Sequence, residues 1–167
     1  MTSTIETLNR LSSEEFVDRL SGIYEHSRWV AELTVSRRPF SSIATLSQAM
    51  AEEVANASKE KQLQLLKAHP DLAGRLADAN ALTPESTEEQ KAAGLDQISA
   101  KDKARLNDLN ARYQSQFGFP FIICARLSNV DSIIKALEAR VENEASAEFE
   151  TALKEVDKIA MLRLSDL

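Results

Sequence analysis

A chain of 167 residues with 43% hydrophobic and 28% charged residues is long enough to bury a real core and too apolar for disorder. Its four glycines and four prolines are too few for an all-β protein with many tight turns, and a net charge of −6 argues against a nucleic-acid partner. No apolar run nears the roughly 20 residues that span a bilayer, so no membrane partner is expected, and the single cysteine, Cys124, excludes an internal disulfide.

In chain order, MTSTIETLNRLSSEE is polar and lacks the apolar centre of a secretory leader. SSEEF, from Ser12, reads as a capping box with Glu15 three residues after the cap. Phe16, Leu20, Ile23, Val30 and Leu33 continue as one apolar helical stripe until Pro39 closes it. Ser42 opens a second helix with Ile43, Leu46, Met50 and Val54. Ser58 opens a third, with Leu63 and Leu66 on its buried side, and Pro70 forces that helix to end by His69.

Asp71 suits the cap of a short turn through Leu72 and Leu76. In LTPESTEEQKAAG, Pro84 fits the first helical turn and Gly94 the residue past the end. Ser99 and Asp102 precede a helix with Leu106, Leu109, Tyr113 and Phe117, which Gly118 stops. Asn129 and Ser146 suit the caps of two last helices. The first carries Ile133, Ile134, Leu137 and Val141; the second carries Phe149, Leu153, Val156 and Ile159, and reaches Arg163. Only FGFPFIICARL, residues 117–127, departs from the helical period, and we expect an extended, largely buried segment entering a helix. The expected fold is all-α: a single-domain bundle of about seven to eight helices over residues 1–167.

Few side chains are suited to chemistry near neutral pH. His69 stands at a helix C-terminus, where unpaired carbonyls favour imidazolium and Pro70 fixes the exit of the chain. That setting suits a general acid, and equally a histidine that only caps the helix. Ser86 and Glu89 have the spacing of a capping box. If Thr83 is the cap instead, Ser86, Glu89 and Gln90 share a helix face and form a polar set for a ligand rich in N–H and C=O groups. Arg163 fits a carboxylate clamp or a complement to a helix C-terminus. His26, in YEHSRW, reads as partly exposed. Cys124 lies in an apolar run with no adjacent base to activate it. Two distant histidines and one cysteine match no metal-ligand spacing, and no phosphate loop or dinucleotide fingerprint occurs.

HPDLAG at 69–74, the S-x-x-EQ set at 86–90, FGFPFIICAR at 117–126 and the Arg163–Leu164 pair occur in this order. Together they resemble the family of 2-oxo-4-hydroxy-4-carboxy-5-ureidoimidazoline (OHCU) decarboxylases, which form (S)-allantoin in urate breakdown. The resemblance runs from FVDRLSGIYEHSRWV to the end of the chain. It implies an all-α homodimer, a small ureide substrate, and neither metal nor organic cofactor. By the same resemblance His69 is the catalytic proton donor and Pro70 borders the substrate ring; we expect Glu89 to act as the partner that orients the His69 imidazole. Ser86, Thr87, Glu88, Glu89 and Gln90 hold the substrate's polar groups. Phe121, Ile122, Ile123, Cys124 and Ala125 contact it largely through their backbone, and Arg163 binds in the same pocket. The SDL ending departs from members that carry a peroxisomal signal, so a cytoplasmic location is expected. Two other readings fit the composition: a helical interaction module using Trp29, and a different cofactor-free ureide lyase or hydrolase.

Overall fold

The computed structural model describes residues 1–74 and 80–167; Leu76 of the expected turn lies outside them. The described residues hold nine α-helices and no strand. These are α1 (Thr4–Arg10), α2 (Ser13–Leu20), α3 (Trp29–Thr34), α4 (Ile43–Ala55), α5 (Lys59–Lys67), α6 (Pro84–Ala92), α7 (Ala100–Phe117), α8 (Val130–Arg140) and α9 (Ala145–Ser165). The all-α reading holds. Two differences raise the helix number. Ser3 and Glu6 form a capping box that starts α1, a helix not expected in the polar N-terminal stretch. The expected long helix after Ser12 is also two helices.

The break between α2 and α3 has a backbone cause. From Leu20 to Val30 the bonds Ile23→Leu20, Ser27→Tyr24 and Val30→Ser27 span three residues rather than four. His26 takes φ +50°, outside the right-handed helical region. The Gly22 carbonyl is taken by the Arg163 guanidinium, at 3.0 Å. One consequence is that Leu33, expected in the core, is exposed. The remaining starts follow their caps: Ser12, Ser42, Ser58, Thr83, Ser99 and Asn129 each accept a backbone N–H from the third residue on. Ser146 does not cap α9, which begins one residue earlier at Ala145.

The chain forms two compact units. The first comprises Met1–Ala68 and Asp157–Leu167. Within it α3 packs on α4 and α2 on α3, burying Phe16, Leu20, Leu46 and Met50. Tyr24 donates its hydroxyl to Asp157 at 2.8 Å, and burial raises both groups above their ordinary values.

The second unit is His69–Val156. Here α7 packs on α8, and α6 packs on the 3-10 turn Ala125–Leu127. Phe119, Phe121 and Phe117 surround Tyr113 with ring centroids 4.6–5.9 Å away. Gly118 ends α7 at φ +80°, a left-handed value that favours glycine. After it, residues 119–124 lie outside any helix and are mostly buried, and the helix expected to follow them is only the three-residue 3-10 turn Ala125–Leu127.

Candidate active site

Three of the motifs meet in the second unit. His69 lies two residues beyond α5 and is buried, with 8% of its surface exposed. After it the chain turns tightly: a Cβ added at Gly74 would stand 2.7 Å from the Cβ of Asp71. Ala73 adopts φ +51°, a strained value for a residue with a Cβ. Gln90 of α6 braces this turn at two points. Its side-chain carbonyl accepts from the Ala73 N–H at 2.9 Å, and its amide donates to the Asp71 carbonyl at 3.2 Å. Burial raises the Asp71 carboxyl above its ordinary range.

Thr83, not Ser86, caps α6, and Pro84 is the first helical residue. Ser86, Glu89 and Gln90 therefore lie inside the helix along one side, and Ser86 and Gln90 are buried. Glu89 is half-buried. Thr87 and Glu88 are exposed, and the Thr87 hydroxyl donates back to the Thr83 carbonyl at 2.9 Å.

The same helix packs on Ala125–Leu127, which brings the 121–125 segment into this unit's candidate site. Phe121, Ile122, Cys124 and Ala125 are buried; Ile123 is half-buried. Two charged side chains grip the segment's backbone. The Ile122 carbonyl accepts from Arg140 Nη1 at 2.7 Å, and the Cys124 N–H donates to Glu155 Oε1 at 3.3 Å. Arg140 also lies over the Phe121 ring, 4.5 Å from its centroid.

Behind Arg140 sits Glu148, which has no exposed surface. It accepts from Arg140 Nε, from Asn143 at 3.0 Å and from the Tyr113 hydroxyl at 2.5 Å. Burial pushes the Glu148 carboxyl up, but these hydrogen bonds outweigh it, and the net position is below the ordinary glutamate range. Tyr113 is raised, chiefly by burial.

Arg163 belongs to the first unit. It is buried, and the carboxylate it binds there is one of the chain's own: Nη2 donates to Glu25 at 2.8 Å, while Nη1 donates to the Gly22 carbonyl.

Arg140, Glu155, Asn110 and Glu25 escaped the sequence reading. For Arg140 and Glu25 no signal existed, since a charged residue reads as a solvated one. Asn110 did leave a trace. It occupies the third place of the Leu106–Leu109–Asn110–Tyr113 stripe, where an apolar residue belongs.

Residues 9–165 match the family model described as OHCU decarboxylase. A 2-oxo-4-hydroxy-4-carboxy-5-ureidoimidazoline decarboxylase from Halalkalicoccus jeotgali is 48% identical over 164 residues, covering 98% of this chain and 91% of the relative. Among solved structures, the crystal structure of an (S)-allantoin synthase superposes with a TM-score of 0.80 at 34% identity. That match covers 98% of this chain and 53% of the other, so the chain spans about half its length. A second, the crystal structure of an OHCU decarboxylase in the presence of (S)-allantoin, has a TM-score of 0.73 at 25% identity, over 89% of this chain and 96% of that one. With nearly every residue inside the match, this chain belongs to the OHCU decarboxylase family.

Proposed function

We propose that this chain is a carboxy-lyase that decarboxylates OHCU to (S)-allantoin in urate breakdown, with residues 1–167 acting as one functional domain. The observation that carries the reading is the convergence in one unit of HPDLAG, the Ser86–Gln90 side of α6 and the Phe121–Ala125 segment, joined by the Gln90 bonds and the packing of α6 on Ala125–Leu127.

The substrate holds its carboxylate on a carbon that bears a hydroxyl and adjoins a C=N bond. When CO₂ leaves, the bonding pair passes into the imine, so the substrate is its own electron sink. In this reading no metal or organic cofactor takes part. What the protein supplies is orientation of the ring and control of one proton. His69 transfers that proton to a single face, and Glu89 orients its imidazole. Pro70 borders the ring; Ser86, Glu89 and Gln90 bind the ureido and ring polar groups, with Thr87 and Glu88 at the outer edge of that set. Phe121, Ile122, Ile123, Cys124 and Ala125 contribute peptide groups, which suits a segment whose backbone is already fixed by Arg140 and Glu155. Arg163 serves as an anion or carbonyl clamp. The working form is a homodimer in the cytoplasm.

The test is production of (S)-allantoin, followed by circular dichroism, from intermediate generated out of urate by the upstream enzymes. The chain should consume the intermediate faster than its spontaneous decay. His69→Ala should lower turnover by roughly 10²–10⁴-fold with the helical spectrum unchanged. Near-normal turnover in that variant would remove His69 from the chemistry.

A further inference from the structure

We infer that Asn110 is a positioning residue for His69, acting with Gln90 through the turn at 71–73. This rests on the reading of His69 as the proton-transfer group. Three backbone groups of the turn are held by side-chain amides from two different helices. Gln90 of α6 takes the Asp71 carbonyl and the Ala73 N–H. Asn110 of α7 takes the carbonyl between them, donating Nδ2 to Leu72 at 3.3 Å.

An amide in this place is chemically expensive. Asn110 stands on the buried stripe of α7 with only 6% of its surface exposed, and its Oδ1 has no hydrogen-bond partner among the described residues. An apolar side chain of similar size would fill the same volume without desolvating a polar group. The donor is what distinguishes asparagine here, and its acceptor is the backbone three residues after His69.

The turn also needs holding. Ala73 sits in the left-handed region, and the Asp71–Gly74 approach leaves no room for a Cβ. A conformation of this kind persists only where its surroundings over-determine it. The amides supply that determination from two sides. A proton donor must be held near its productive geometry, and a displacement of about 1 Å can cost about 10²-fold in rate. The fixed turn anchors the chain directly after His69 and Pro70, leaving the imidazole little backbone freedom.

The experiment compares the full chain with Asn110→Leu, which keeps the volume and removes the donor. We expect kcat to fall at least tenfold while KM stays within about threefold. Loss of folded protein would also lower apparent kcat at constant KM, so kcat is referred to the folded fraction read from the helical circular-dichroism signal. A readout independent of turnover comes from the imidazole resonances. With only two histidines, His26→Gln assigns both. The His69 signal should shift or broaden in Asn110→Leu, and the His26 signal should not. Gln90→Glu, which retains the acceptor for Ala73 but loses the donor to Asp71, should move the His69 signal in the same way. If Asn110→Leu does not fold, Asn110→Ser removes the reach to Leu72 with a smaller change in polarity. A folded Asn110 variant with parental kcat and an unmoved His69 signal overturns the inference. Failure of the proton-transfer reading is separate: it shows as retained turnover in His69→Ala.

Discussion

Arg140 and Glu148 form an ion pair at 3.0 Å in which the carboxylate is wholly enclosed and the guanidinium nearly so. The carboxylate lies eight residues beyond the arginine, past the end of α8 and inside the first turn of α9. The pair thus fixes the α8–α9 corner, while its other end reaches the Ile122 carbonyl.

Removing one partner strands the other. Arg140→Met should cost about 3–5 kcal/mol in urea denaturation, because Glu148 is left buried without its counter-charge. The pH dependence follows from the lowered Glu148 carboxyl. A group whose folded value is depressed adds stability above its unfolded value, and that stability is lost as pH falls through the folded value. The parent should therefore lose stability as pH drops below the ordinary glutamate value of 4.5, and Glu148→Gln should lose less over the same range. Parallel pH–stability curves for the two proteins would show that Glu148 is not the group responsible.

The cap of α6 separates two readings that the sequence left open. Thr83→Ala should destabilise the chain by about 1 kcal/mol, since its hydroxyl accepts the Ser86 N–H at 3.2 Å. Ser86→Ala removes no cap, so any loss of turnover it brings belongs to the site rather than to the helix. Thermal denaturation of the two variants, measured beside turnover, distinguishes these effects.

Arg163 and Glu25 make a second buried pair, in the first unit. Arg163→Met should destabilise by about 3–5 kcal/mol, and adding Glu25→Leu should recover much of that loss. A double variant no more stable than Arg163→Met would mean that the ion pair is not what Arg163 contributes to the fold.

The helix starts were legible because a cap is a local event. A serine, threonine or asparagine accepts an N–H three residues on, and both partners lie in one short stretch of sequence. The positions of Ser12, Ser42, Ser58, Ser99 and Asn129 needed nothing further. The α2–α3 break was not legible, because the apolar period continues through it. The groups that hold the break in place are distant: Arg163 donates to the Gly22 carbonyl and Asp157 accepts from the Tyr24 hydroxyl, both from the far end of the chain.

The site divides along the same line. The helix end before HPDLAG could be placed from local rules, since a proline stop acts over a few residues, and the Ser86–Gln90 side needed only the choice of Thr83 as cap. The grip on residues 121–125 could not. Arg140, Glu148 and Glu155 look like ordinary charges of amphipathic helices, and only tertiary structure shows that they are enclosed. The groups that Arg140 and Glu155 hold in the segment are main-chain ones, which have no residue type and leave no mark in a sequence.

Glu148 and Glu155 lie two turns apart on α9, along one side of it. One reaches the Ile122 carbonyl through Arg140, and the other takes the Cys124 N–H directly. The helix therefore works as a ruler laid alongside the 121–125 segment, with two marks read against two peptide groups. Inserting a single residue between those marks would swing one of them by about 100° around the axis. Every side chain of the segment would remain in the sequence, yet its two anchor points would fall out of register.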